Sequence, residues 1–187
     1  GWLGLLLLLS FLPKILNRVL VVGLLAVSSH FLFDLNRYWA ESEKICEGLV
    51  NDFRWYDRDE VIILASPDNY LGVFMFRIIG QINGFNEALE LRRGKPYQGN
   101  MWEVVQFNVV ASDYALTVEK DSTDTLYKVW FKQDGNWWWR NGIGATNYEN
   151  DRYQFTMQEW HVETQLKGKR PSAAVIYPVG DKWLEVE

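Results

Sequence analysis

Sugar or phosphate binding needs a few polar side chains held together, and Ser66-Pro67-Asp68-Asn69-Tyr70, with Arg77 following, is the first set to consider. Asp68, Asn69 and Tyr70 come directly after an apolar run that reads as a strand, and loops after strands often carry binding groups. A carboxylate, an amide and a phenol can hydrogen-bond sugar hydroxyls, and Arg77 can grip a phosphate with two parallel N–H donors. The same residues have a plainer use. Asp and Asn make turns through their own side chains, and Arg77 can pair with Asp68. Turn chemistry and ion pairing are the commoner outcomes.

A second candidate is aromatic. Trp137, Trp138 and Trp139 are consecutive, so in a strand Trp138 must face away from the other two. Together with Trp130, Tyr148 and Trp160 they can serve as core packing, as a contact with the membrane interface or a partner, or as a platform for sugar rings. Packing is the commonest of these roles.

Other constellations carry less. His161 stands with Glu159 and Glu163 at strand alternation, which places all three on one face without any metal. Cys46 is the only cysteine, so no intrachain disulfide and no cysteine-based zinc site can form, and a lone thiol is usually a packed apolar group. Asn141-Gly142-Ile143-Gly144 lacks the spacing of a phosphate loop and reads as a turn. No pair of carboxylates and no nucleophile motif singles itself out for catalysis. The sequence therefore calls for no catalytic residue, no metal and no cofactor.

The elements that must position these groups follow from pattern. Residues 61–65 are a continuous apolar run between charged residues and Ser-Pro-Asp-Asn, the mark of a buried strand. A short apolar element follows at 72–76. Asn83 can cap a helix through Leu91, with Arg92 and Arg93 at its negative end and Gly94 beyond it. From about residue 100 the texture is β-rich, with strands predicted at 102–110, 114–119, 125–133, 137–140, 153–159, 175–177 and 182–186. Short spacings favour antiparallel hairpins, the clearest turning at Asp134-Gly135-Asn136.

The N-terminal end is of another kind. Residues 2–12 are mostly leucine, Pro13, Lys14, Asn17 and Arg18 interrupt, and a second apolar stretch reaches 20 or so residues only if it spans 15–35. The expectation is one transmembrane helix or a helical hairpin turning at 13–18. Lys14 and Arg18 would hold that turn in the cytoplasm, leaving everything after Leu35 on the outer side. Leu35, Tyr38, Trp39, Ile45, Cys46, Leu49, Val50 and Phe53 then recur at three and four residue spacing, an amphipathic stalk with Tyr38 and Trp39 near the headgroups. The domains expected are 1–35 in the membrane, 36–56 as stalk and 57–187 as an extracytoplasmic domain. The fold class is a membrane-anchored α+β protein, in which a small α/β segment leads into a mainly antiparallel β domain.

Charge sharpens the division. Of the 187 residues, 48% are apolar and 23% charged, an ordinary average concealing that all 24 acidic residues and all but two of the 19 basic ones follow residue 33. So acidic a soluble part cannot release counterions from a phosphate backbone, which excludes nucleic acid as a partner. The chain opens on Gly1 and enters apolar sequence without a basic leader, which implies an upstream part.

The segment IILASPDNYLGVFMFR, then GFNEALEL, then a β-rich tail, resembles the extracytoplasmic C-terminal region of bacterial polytopic membrane proteins related to GT-C type glycosyltransferases. The likeness rests on residues 61–91 and the preceding stalk. It implies a lipid-linked sugar donor and an acidic catalytic residue in an outer loop that this fragment does not contain. Asp68, Asn69, Tyr70 and Arg77 are then family-like ligand contacts rather than catalysts. The function expected is an accessory domain of a membrane glycosyltransferase-like protein, not catalytic by itself, with membrane lipid and a lipid-linked sugar or glycan as partners. The rival is a non-enzymatic membrane subunit docking other subunits of a complex through its aromatic β domain.

Overall fold

A computed structural model describes residues 13–54, 58–76, 84–109, 116–131, 138–140, 143–144, 147–158 and 161–187, and at 131, 138–140 and 143–144 the backbone only. The apolar run 2–12, the cap Asn83, the turn 134–136, and Arg77, Trp137, Asn141, Gly142, Glu159 and Trp160 lie outside the described residues. The chain divides into two compact units, Gly1–Tyr38 and Trp39–Glu187.

The first unit is helical. Helix α1, Lys14–Asp52, begins directly after Pro13, whose carbonyl accepts the N–H of Asn17 at 2.9 Å. A proline just ahead of a helix loses nothing, because first-turn N–H groups have no intrahelical acceptor. Residues 14–18 therefore lie in the first turns of α1 and not in a connection. Side chains along 15–33 are exposed all round, Ile15 at 79% and Phe33 at 67% among them, and the helix is long and apolar enough to cross a membrane. Its 15–35 stretch rises about 30 Å, the thickness of a bilayer's hydrocarbon. Polar contacts begin where that stretch ends: Asp34 lies 3.6 Å from His30 and 3.9 Å from Arg37, whose guanidinium also lies 5.5 Å from the centre of the Tyr38 ring.

The second unit has three layers. Its remaining described elements are β1 (Glu60–Tyr70), β2 (Val73–Phe74), α2 (Gly84–Arg93), β3 (Asn100–Val109), β4 (Leu116–Lys120), β5 (Leu126–Phe131), β6 (Trp138–Arg140), β7 (Ile143–Gly144), β8 (Tyr148–Glu149), β9 (Tyr153–Met157), β10 (His161–Leu166), β11 (Ala173–Val179) and β12 (Lys182–Glu185). One sheet has the order β12-β11-β1-β3-β6-β7, with β2 folded back on β1. In it β1 runs parallel to both β3 and β11. Antiparallel hairpins were the expectation for the strands after about residue 100. Antiparallel pairing holds throughout the other sheet, β4-β5-β10-β9-β8, although β5 and β10 are not a hairpin, and it fails where β3 and β11 meet β1, because the connections run through α2 on one side and through the whole second sheet on the other. A strand between two parallel neighbours is covered on both faces. Val61, Ile62, Ile63, Leu64 and Ala65 accordingly have no exposed surface.

The helical layer is the last four turns of α1 with α2. Ile45, Cys46, Leu49, Val50 and Phe53 of the predicted stripe are buried, and Ser42 with them, whereas Trp39 is not. Phe85, fully buried on α2, meets Phe53, Phe76 and Trp183 edge to face at 5.3, 5.2 and 4.9 Å. Arg93, in the last turn of α2, donates to the carbonyls of Val50 and Phe53 at 3.0 and 2.6 Å, satisfying acceptors that the end of α1 leaves open. Gly94 follows at φ 76°, where a glycine costs least. On the sheet's other face Trp102 stacks on Tyr153 of β9 at 5.7 Å, which seats the second sheet there.

Candidate functional site

The carboxyl ends of β1 and β3 bring the predicted polar residues together inside the sheet rather than on a loop after it. Ser66 pairs with Gln106 and Pro67 with Phe107, but Asn69 pairs with Asn108, so the register slips by one residue at Asp68. Pro67 has no N–H to give a neighbour, and a bulge is where a sheet tolerates that loss. Asp68, only 6% exposed, turns its carbonyl to the N–H of Met75 at 2.8 Å. Asn69 donates to Asp68 Oδ2 at 3.2 Å and to Asn108 Oδ1, and its own Oδ1 accepts the N–H of Gly72 at 3.1 Å. Its amide is thus used in holding the β1–β2 turn. Tyr70 is buried.

Glu103 on β3 was not among the expected residues. Its carboxylate accepts from the Ser66 hydroxyl, with the Phe85 N–H in the first turn of α2 and Asp68 close by. Oε1 is buried with no hydrogen-bond partner among the described residues. Burial pushes this carboxyl from its ordinary 4.5 up to about 7; Ser66 and the Phe85 N–H pull it back, and the charge of Asp68 adds to the rise. The group can therefore hold or release a proton near neutrality, the property a general acid or base requires. What should have drawn attention to it is one acid inside the apolar run Trp102-Glu103-Val104-Val105.

A pH dependence follows. Below 4.5 the carboxyl is protonated whether the chain is folded or not, and stability is fully present. As pH rises toward 7 the unfolded chain ionises while the folded one keeps its proton, so stability declines, and above 7 the loss is complete. Glu103→Gln keeps an acceptor for Ser66 and cannot ionise. The variant is expected to match the wild type at pH 4.5 and to exceed it by roughly 2–3 kcal/mol at pH 8 in urea unfolding followed by circular dichroism. Equal stabilities at pH 8 would show that the carboxyl is better solvated than its surroundings suggest.

The aromatic platform is placed only in part. Trp138 and Trp139 lie on β6 opposite Phe107 and Gln106; their side chains, like the whole of Trp137, lie outside the described residues. Two other aromatic groups do stand out. Trp102 carries the guanidinium groups of Arg170 and Arg152 at 4.9 and 5.3 Å from its ring centre and donates to Glu60, which also binds Arg170. Trp130 stacks on His161 at 4.1 Å, and Glu163 stands 3.4 Å from His161 and 3.2 Å from Lys128. The hydrogen bonds from Lys128 and His161 lower the Glu163 carboxyl. Among the described residues no group of three His, Cys, Asp or Glu is placed to hold a metal ion. Cys46 is buried, and that burial pushes its thiol up to about 11, which leaves it protonated and unreactive at neutral pH.

Comparison with family models, curated proteins and solved structures finds no match in any of the three.

Proposed function

We propose that this chain is the anchored, outward-facing accessory domain of a membrane glycosyltransferase-like protein, with the catalytic residues elsewhere in that protein. One observation carries the anchoring: the large apolar side chains along 15–33 are exposed, on a helix long enough to span a bilayer. So large a patch is unfavourable in water and ordinary in lipid. The sugar reading rests on the likeness of residues 61–91. It is supported by the position of Asp68 and Asn108 toward the carboxyl ends of two parallel strands, where open α/β sheets commonly take ligands. In this reading Asp68 and Glu103 would meet sugar hydroxyls, and Lys14 and Arg18 would keep the start of α1 in the cytoplasm.

Sidedness is the direct test. In a Cys46→Ala background, Ser172→Cys places a thiol on an exposed turn. A membrane-impermeant maleimide should label it on intact cells, and the labelled chain should resist extraction by alkaline carbonate. Labelling that requires lysis would put the domain on the cytoplasmic side. If it is outside, but removing residues 39–187 from the parent protein leaves transfer from a polyprenyl-phosphate sugar unchanged, the accessory role fails and a docking subunit takes its place.

A further inference from the structure

We infer that the free edge of β4, with the groove between it and the β11–β12 hairpin, is a docking site for an extended, positively charged segment of a partner protein, which joins the second sheet as an added strand. The inference goes beyond the anchored reading above and does not depend on it.

On this side the second sheet stops one strand before the first. Among the described strands it ends at β4, which pairs with β5 alone. β4 meets β11, whereas the first sheet continues past β11 to β12. Trp183, on one face of β12, packs on Phe85 of the helical layer. Leu184 therefore lies on the face toward the second sheet, across from Tyr177 of β11, and is 44% exposed. A groove of about 420 Å³ opens at this place, lined by Val118, Lys120, Tyr177, Glu185, Val186 and Glu187.

The hydrogen-bond phase of the β4–β5 pair decides which backbone groups face that groove. Asp121 donates its N–H to the carbonyl of Leu126 at 3.1 Å. In an antiparallel ladder this makes Glu119–Lys128 and Thr117–Trp130 bonded pairs as well. The residues between them, Val118 and Lys120, turn their N–H and C=O groups away from β5. Those are the two β4 residues that line the groove, and no described strand or turn pairs with their backbone. An edge of this kind is a template for another strand, and adding one is a common way for a sheet to take an extended peptide. Alternate side chains of the added strand point onto Tyr177 and Leu184, which asks for apolar residues at those places.

Charge selects the occupant. Lys120, the one cation among the lining residues, is held by Asp124 at 3.1 Å. Glu185 and Glu187 are exposed and stand in no ion pair among the described residues; Arg54 borders the adjoining hollow without pairing with either. The groove is therefore acidic, and a lysine or arginine in the added strand meets a carboxylate there. A second copy of the chain would instead bring the same carboxylates against this edge.

The test uses the full chain in mild detergent, with fluorescein-labelled peptides of alternating valine and threonine flanked by lysine or by glutamate. Main-chain bonds supply the affinity in strand addition, so a generic strand suffices as probe. Fluorescence anisotropy should show the lysine peptide binding about ten-fold more tightly than the glutamate one, and nuclear magnetic resonance should show slowed exchange of the Val118 and Lys120 amides on binding. Val118→Pro removes an open donor and leaves the β4–β5 ladder intact; it should weaken binding about ten-fold. Glu185→Lys with Glu187→Lys should reverse the preference between the two peptides. Failure of both peptides to bind at millimolar concentration would overturn the inference, as would binding that leaves the Val118 and Lys120 amides exchanging as before. A chain that sediments as a dimer, and as a monomer once Val118→Pro is made, would overturn it in favour of a second copy. The amide readout on the unaltered chain keeps the test valid if a variant misfolds, which circular dichroism would reveal.

Discussion

Phe85→Ala is expected to lower the stability of the soluble unit by about 4 kcal/mol, within the range seen when a buried phenylalanine is truncated. The ring has no exposed surface and is the shared neighbour of Phe53, Phe76 and Trp183. Those three belong to the end of α1, the segment after β2, and β12. Removing the ring takes away burial and three edge-to-face contacts at once, and opens a cavity that three separate elements would have to collapse together to fill. For a unit whose whole stability is on the order of 5–15 kcal/mol, that is a large share. Urea unfolding of the chain in mild detergent, followed by near-ultraviolet circular dichroism, measures it. A loss below about 1 kcal/mol would mean that the helices pack on the sheet far more loosely than the ring geometry shows.

The second large effect concerns the anchor. Leu24 and Leu25, at the middle of the apolar stretch, are 44% and 62% exposed. One arginine near the centre of a spanning helix costs about 2.5–3.5 kcal/mol of insertion free energy, so Leu24→Arg with Leu25→Arg should remove most of the carbonate-resistant fraction. The soluble unit should keep its fold, since neither side chain belongs to it. Val replacing either leucine should change nothing measurable. Should the doubly charged chain remain as firmly bound as the wild type, hydrocarbon is not what surrounds this helix.

Much of this fold could be read from residue pattern, and the failures have physical causes. The apolar stretch, the buried strand at 61–65, the helix ending at Arg92-Arg93-Gly94 and most strands after residue 100 are local signals of periodicity and capping, and they stand where expected. Strand β10 was not predicted, because His161, Glu163 and Gln165 on its outer face dilute the apolar signal of Val162, Thr164 and Leu166. The parallel pairing of β1 was missed for a different reason. Nothing local distinguishes a strand flanked by β3 and β11 from one in a hairpin; the difference lies in partners far along the chain. The same applies to the polar cluster. Asp68 and Asn69 were visible as polar residues, yet only the pairing of β1 with β3 brings Glu103 to Ser66, and a lone acid in an apolar strand has no local partner to announce it.

Glu60 and Arg170, which bind each other at the start of β1 and the approach to β11, are 110 residues apart, and this separation bears on how the protein is made. On the ribosome β1 emerges more than 100 residues ahead of β11, the strand that will close its outer edge. Until Ala173 appears, a fully apolar strand offers an open row of amide and carbonyl groups to any neighbour. A nascent chain at this stage therefore depends on chaperones or on rapid completion. A product that terminates before β11 would leave an aggregation-prone stump for proteases to clear.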